Sequence, residues 1–204
     1  MTMKSILKLG AAAALMAPLL VACATGPTLA PAGKLSVVSA YSVNLDRNWS
    51  DVTTLYVSGK APKVKVLTID GINLNRLLVS DGLTSSDPLV VSPTKGDTAT
   101  NPAPRGKADM SLSEQMEFVS RAVSELDYQK VETLNPKPVT LGGVKGVRFE
   151  LSGKTSDGLN IKGTAQAVSS KGLSYYIVYL APAEHYYDAS LTNAVAVMDS
   201  AKLP

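Results

Sequence analysis

Cysteine is nearly absent from this sequence, because Cys23 is the only one among 204 residues. A single cysteine permits no internal disulfide and no thiolate metal cluster. Histidine is equally scarce, with His185 alone, so a catalytic triad or a histidine metal site would depend on that one ring. We therefore predict a domain stabilised by its hydrophobic core, with no metal and no cofactor.

A strong excess of charge of one sign is also lacking. The chain has 20 Lys+Arg and 17 Asp+Glu, a formal net charge of +3. Lys4 and Lys8 lie in an N-terminal segment that we expect to be removed, and without them the net charge is +1 (3 − 2). Because nucleic acid binding needs a basic surface, no nucleic acid partner is predicted.

Residues 1–22 have the layout of a secretory signal peptide. Lys4 and Lys8 form a short positive head, and the uncharged apolar run 9–20 follows them. That run is shorter than the about 20 apolar residues that a membrane-spanning helix needs. It leads into Leu20-Val21-Ala22-Cys23, where we expect the signal to be cleaved.

This tetrapeptide resembles the cleavage box of bacterial lipoproteins, Leu-(small)-(small)-Cys. The resemblance implies cleavage between Ala22 and Cys23, a diacylglycerol on the Cys23 thiol, and an acyl group such as palmitate on the new amino group. Several chains anchor firmly, because each buried methylene contributes about 0.8 kcal/mol. Ala24 follows instead of an aspartate, which resembles the arrangement exported to the outer membrane, facing the periplasm. The alternatives are an ordinary signal peptide or a small buried cysteine.

The remaining chain is predicted to form a tether and one domain. Residues 23–34 are rich in glycine and proline and show no apolar period, so they predict a lipidated, flexible tether. Residues 35–204 are long enough for a single globular domain with a core of its own.

Short strands are predicted early in the domain, at 35–45, 53–58, 63–69 and 72–79. Within the third of these, Val64 and Val66 alternate with lysines, and Asp70-Gly71 suits a hairpin turn.

Residues 83–110 contain four prolines and only one short apolar run. They predict a long loop, which is either functional or a mobile insertion, and the composition favours the mobile insertion.

A helix is predicted over 111–127. Ser111 and Glu114 have the spacing of a capping box. Apolar residues then recur at spacings of four and three, on one helical face: Leu112, Met116, Val119, Val123 and Leu126.

The last part of the chain alternates with period two. Pro136 and Pro138 favour an edge strand over 131–141, and strands at 147–151 and 159–168 each show one apolar face. Residues 173–181 are apolar or aromatic on both faces, which indicates a central strand. A helix over 183–201 ends the pattern. The fold class predicted is α+β, with an antiparallel meandering sheet packed by helices.

The order of these elements resembles the PsbP-like fold. The residues that carry the resemblance are Gly146 to Glu150, the following Asp-Gly hairpin, the tyrosine-rich strand, and Ala181 to Tyr187 before the final helix. The same fold is expected in bacterial lipoproteins of the DcrB type and in Ran-binding proteins of the Mog type. The resemblance implies an α/β/α sandwich and an accessory or binding role without catalysis.

The aromatic residues are the main candidates for an interaction surface, since tyrosine is enriched at interfaces. They are Trp49, Tyr175, Tyr176, Tyr179, Tyr186 and Tyr187. Packing in the core is the favoured interpretation, both for Trp49 and for the tyrosines. His185 is interpreted as a residue at the start of the last helix and not as a catalytic base.

Three functions remain open at this point. The first is a lipid-anchored, non-enzymatic envelope protein that binds a protein partner or assists an envelope assembly. The second is a periplasmic module that binds a small ligand or lipid in an apolar pocket between sheet and helix. The third and least favoured is a hydrolase that uses His185 with a serine.

Overall fold

The computed structural model describes residues 26–56 and 63–204. The predicted signal peptide, its cleavage site and Cys23 lie outside the described residues. In chain order the elements are β1 (Thr28–Ala30), β2 (Gly33–Ser36), β3 (Ser42–Leu45), β4 (Trp49–Asp51), α1 (Thr53–Tyr56), β5 (Val64–Thr68), β6 (Arg76–Ser80), α2 (Leu112–Ser124), β7 (Gln129–Leu141), β8 (Val144–Lys154), β9 (Asn160–Ser170), β10 (Leu173–Pro182) and α3 (Tyr186–Asp199).

The centre of the molecule is an antiparallel sheet of eight strands. Their order is β1-β4-β5-β6-β10-β9-β8-β7, and β2 and β3 form a separate hairpin. β10 lies between β6 and β9, and every residue from Ser174 to Pro182 is buried. β7 pairs only with β8 and ends the sheet. The predictions of an antiparallel α+β fold, a central β10 and an edge strand at β7 are confirmed.

Helices α2 and α3 pack on opposite faces of this sheet. Alternation along β10 directs Tyr176 and Val178 into the core beneath α2. Ile177 and Tyr179 lie in the other core, together with Met198 of α3. The apolar content of both faces of β10 therefore builds the three-layer sandwich that was expected.

The predicted start of α2 is confirmed. The hydroxyl of Ser111 accepts a hydrogen bond from the Glu114 amide, and the Glu114 carboxylate accepts one from the Ser111 amide at 2.9 Å. The predicted stripe is only partly right, because Leu112 is 37% exposed while Phe118 is buried. The helix is rotated so that Phe118 meets the ring of Tyr176, with ring centroids 5.3 Å apart.

The predicted tether is wrong from Thr28 onward. Ala30 pairs with Trp49 and Thr28 with Asp51, so residues 28–30 form the first strand of the main sheet. The amide of Ala32 also donates a hydrogen bond to the Asn48 side chain at 2.9 Å. Neither glycine nor proline interrupts 28–30, and pairing with β4 fixes a segment that has no apolar period of its own.

Two other strand predictions in this region need correction. Residues 35–45 belong to the β2–β3 hairpin and do not form one strand. Residues 53–56 form α1 and no strand, because the Asp51 carboxylate accepts a hydrogen bond from the Thr53 amide at 2.9 Å and caps the turn.

The return strand predicted at 72–79 begins only at Arg76. A turn precedes it, in which the amide of Asn75 donates to the Gly71 carbonyl at 3.0 Å.

The loop 83–110 forms neither helix nor strand, as predicted, but it is not a mobile insertion. Leu83, Leu89 and Val90 are buried in the core beneath α2. Arg105 links two parts of the loop, since its guanidinium contacts the Asp97 carboxylate at 2.5 Å and donates to the Ser86 carbonyl at 3.0 Å. Its apolar run therefore serves as core.

Candidate functional site

One face of the sheet is left uncovered beyond α3. Lys162 pairs with Ala181, and Thr164 with Tyr179, which places both on the side that α3 packs against. Each of these residues begins a row of directly paired residues that runs across β8 to β7. The two rows are Lys162–Ser152–Glu132 and Thr164–Glu150–Leu134. We call this surface the open face: Glu132, Leu134, Glu150, Ser152, Lys154, Asn160 and Lys162, all exposed or half-buried.

Polar contacts at the end of α3 mark where the covered part of the sheet stops. The Gln166 amide donates to the Met198 carbonyl at 3.0 Å. The Arg148 guanidinium contacts Gln166 Oε1 at 2.6 Å and the Asp199 carboxylate at 2.5 Å. These contacts hold the last turn of α3 over β9 and β8 and leave the outer part of β8 and β7 to solvent.

Two tyrosines hold the other end of α3. Tyr179 donates from its hydroxyl to the carbonyls of Tyr186 and Tyr187 at 2.9 and 3.3 Å, and the Tyr187 hydroxyl donates to the Gly163 carbonyl at 3.4 Å. Burial raises the pKa of Tyr179 and of Tyr187 to about 12. Both hydroxyls therefore stay protonated and act as donors at neutral pH.

The aromatic residues do not form the interaction surface that was considered for them. Trp49 is 1% exposed, and four of the tyrosines are buried as well: Tyr175, Tyr176, Tyr179 and Tyr187. Tyr186 is half-buried against the α3 core. The favoured interpretation, packing in the core, is the correct one. The sequence signal for the open face is the polar side of the alternation in β8, at Arg148, Glu150 and Ser152.

An open groove of about 430 Å³ lies at the end of the open face. Lys130 of β7, Lys154 of β8 and Lys162 of β9 line it, together with Glu132 and Asn160. In the described ranges none of these lysines has a carboxylate within 4.0 Å. Its other lining residues are small or aliphatic: Ser152, Gly153, Ile161 and Ala183. We call this site the lysine groove.

His185 sits at the start of α3, as predicted, with a positive φ of 70°. Its exposed ring meets the Tyr186 ring edge-on, with centroids 5.2 Å apart. Among the described residues, no serine or carboxylate shares a hydrogen bond with this ring. The described part of the chain also holds no group of three or more His, Cys, Asp or Glu residues suited to a metal ion. No helix within residues 26–56 and 63–204 is long and apolar enough to cross a bilayer.

No protein-family model and no curated protein matches this sequence, but its fold is found among solved structures. The cyanobacterial PsbP of Synechocystis superposes with a TM-score of 0.53 at 16% identity, over 96% of this chain and 99% of that one. The Ran-binding protein Mog1p of Saccharomyces cerevisiae gives 0.50 at 12% identity, over 86% and 94%. The predicted PsbP-like fold is thereby confirmed. LpqN of Mycobacterium tuberculosis, involved in cell envelope biogenesis, scores only 0.32 at 14% identity, over 87% and 83%.

Tyr179→Phe is expected to lower the free energy of unfolding by about 1 kcal/mol, because two carbonyls lose their donor. Tyr176→Phe is expected to be neutral or slightly stabilising, since no hydrogen-bond partner of its buried hydroxyl is found within residues 26–56 and 63–204. The adjoining cleft of about 10 Å³ has room for a single water at most. Urea unfolding of both variants measures the difference. An equal loss in both would show that the Tyr176 hydroxyl has a bound partner.

Proposed function

We propose that this chain is a lipid-anchored, non-enzymatic envelope protein whose domain binds a protein partner through the open face. The observation that carries the proposal is the position of the two ends of the sheet. β1, which follows the Cys23 segment, is one terminal strand, and β7 is the other. The open face therefore lies at the end of the sheet opposite to β1, the strand that follows the Cys23 segment in the chain.

The distance between them follows from strand spacing. Neighbouring strands lie about 4.8 Å apart, so the six steps from β1 to β8 span about 29 Å. A protein held at Cys23 would thus carry its open face six strand steps away from the strand nearest to the anchor. Such a placement suits a partner in the periplasm and separates recognition from anchoring.

The composition of the open face suits a protein partner. It combines charges of both signs, Glu132, Glu150, Lys154 and Lys162, with Leu134, which is 43% exposed. Charged side chains of both signs belong to the polar, solvent-accessible rim of an interface, where they can orient a partner of complementary charge. The PsbP-like fold adds an example, because Mog1p, which has this fold, is a Ran-binding protein.

The anchor is tested by Cys23→Ser in the full chain, expressed in a Gram-negative host with radiolabelled palmitate. We expect the parent protein in the membrane fraction with label, and the variant released and unlabelled, because no other cysteine is available. Ala24→Ser keeps the cysteine and is the matched control, which should remain membrane-bound. Labelled membrane retention of Cys23→Ser would overturn the anchor, and with it the localisation in the outer membrane.

The open face is tested by crosslinking in intact cells. Leu134→Arg places a charge on the open face, at its terminal strand β7, while Leu29→Arg makes the same change at β1, where the leucine is 68% exposed. We expect a specific crosslinked partner with the parent and with Leu29→Arg, and its loss with Leu134→Arg. Equal crosslinking in all three proteins would remove the open face from the proposal.

A further inference from the structure

We propose that the lysine groove binds an acidic segment of the protein partner, an inference that rests on the proposed function and names the chemistry of its partner. Three lysines from three adjacent strands converge on this groove. The net charge of the chain without the signal peptide is only +1. The positive charge of these three lysines is therefore a local feature of the groove. Their convergence concentrates positive charge in the groove, on a protein whose total charge is nearly balanced.

The geometry of the sheet sets these lysines side by side. Lys154 pairs with Asn160 and Lys162 with Ser152, so the two lysines are diagonal neighbours on the same face of β8 and β9. Diagonal neighbours are about 7–8 Å apart, which is too far for one carboxylate to bridge tightly but suits successive carboxylates of a peptide. Lys130 completes the group from β7, at an irregular step in the pairing with β8.

The backbone at Lys130 has the strained geometry of a specialised position. Its φ is 52°, a left-handed value that a residue with a Cβ seldom adopts. The register of β7 against β8 shifts between Gln129 and Glu132, so Lys130 lies in a bulge. Bulges redirect a side chain from its regular alternation, and here the side chain that lines the groove is Lys130.

The carboxylates around the groove leave its lysines available. Glu132 is the single acidic residue among its lining residues. It lies in one row with Ser152 and Lys162, two strands away from that lysine. Glu184 is also near and accepts a hydrogen bond from Asn160 at 3.3 Å, but within the described residues it forms no ion pair with a groove lysine. The ammonium of Lys162 lies 5.7 Å from the centroid of the Tyr187 ring, and it forms no ion pair within residues 26–56 and 63–204.

The groove favours a peptide over a lipid headgroup. It is open to solvent and is lined by residues of three adjacent strands, with Ser152 and Gly153 of β8 among them, so an extended chain can lie across it. Its position near β8 also places it about 29 Å from the strand that leads to the anchor, at about 4.8 Å per strand step. The groove therefore lies at the end of the sheet away from the strand that follows the Cys23 segment.

The test is a titration of the purified full chain with a fluorescein-labelled decaglutamate peptide, followed by anisotropy at low salt. The groove variant carries Lys130→Gln, Lys154→Gln and Lys162→Gln. The control variant carries Lys34→Gln, Lys95→Gln and Lys145→Gln, three exposed lysines outside the groove. Both variants lose the same charge, so a difference between them reports on position alone. Trp49 fluorescence, from a buried and unique tryptophan, verifies that both are folded.

We expect the groove variant to bind the peptide about tenfold more weakly than the parent, because each exposed ion pair contributes modestly. The control variant should stay within about twofold, decaglutamine should not bind, and added salt should weaken the parent's binding. Equal losses in both variants would overturn the proposal, as would unchanged binding by the groove variant. Groove-dependent binding to phosphatidylglycerol vesicles without binding to the peptide would assign the site to a membrane instead.

The same groove variant separates this inference from the proposed function. The full chain that carries these three substitutions is crosslinked in intact cells, in parallel with the parent protein. If the partner is still recovered, the partner-binding function stands and the groove is not its site. If the peptide result is as expected and the crosslink is lost, both stand together.

Discussion

Gly146→Ala is expected to lower the free energy of unfolding by about 3 kcal/mol, the upper part of the range for overpacked cores. Gly146 lies in β8 opposite Val168 of β9. A Cβ at this position would lie 2.6 Å from the carbonyl oxygen of Ala167 and would clash with the Val168 side chain. The carbonyl belongs to the neighbouring strand and cannot rotate away, so the two strands must separate locally.

Alanine normally stabilises a strand relative to glycine, by roughly 0.5–1 kcal/mol, so the sign of the effect is diagnostic. Urea unfolding followed by Trp49 fluorescence measures it. Gly26→Ala is the matched control, because a Cβ there meets no atom within 4 Å. A Gly146→Ala variant as stable as the control would show that β8 and β9 can separate at this point at no cost in free energy.

Asp81→Ala is expected to cost about 3 kcal/mol, because the donors that its buried carboxylate satisfies would be left without an acceptor. The carboxylate is 4% exposed and accepts four hydrogen bonds. Three come from the turn after β2, from the Val38 and Ser39 amides at 3.1 and 2.6 Å and the Ser39 hydroxyl at 2.9 Å. The fourth comes from the Gly82 amide at 2.7 Å. Asp81 therefore fastens the β2–β3 hairpin to the end of β6.

Two further variants, Asp81→Asn and Asp188→Ala, serve as comparisons for Asp81→Ala. Asp81→Asn keeps the size but turns an amide NH₂ toward donors, so it should recover less than half of the loss. Asp188→Ala, in the exposed first turn of α3, should cost no more than about 1 kcal/mol through the helix dipole. If Asp81→Ala proved as mild as Asp188→Ala, solvent would already be satisfying the turn of the hairpin.

The C-terminal half of the fold was predictable because its signals are local. A capping box, two Asp-Gly or Gly-Gly turns and clear period-two alternation define α2 and the strands β7 to β10. The N-terminal half was less predictable from the sequence, because its strands depend on partners far along the chain. Residues 28–30 show no period, and only pairing with Trp49–Asp51 makes them a strand.

The candidate site was missed for a related physical reason. Tyr175, Tyr176 and Tyr179 were candidates for an interaction surface because they are aromatic, yet neighbours from both helices bury them. The lysine groove combines Lys130, Lys154 and Lys162, whose proximity depends on the register of three strands and on a bulge. Spacing along the chain cannot reveal such a cluster, whereas the polar side of β8 could have indicated an uncovered face.

The short pairing of β1 has a mechanical consequence for a protein held at Cys23. Three register pairs join β1 to β4 at the end of the sheet, so a pull on the N-terminal segment would detach this strand before any longer one. Each residue released adds up to about 3.5 Å of extended chain. Release of residues 28–32 would lengthen the segment between Cys23 and the folded domain by roughly 17 Å. The open face, at the far end of the sheet, would keep its shape. In a protein anchored at Cys23, β1 would therefore be the first strand to separate under a pulling force.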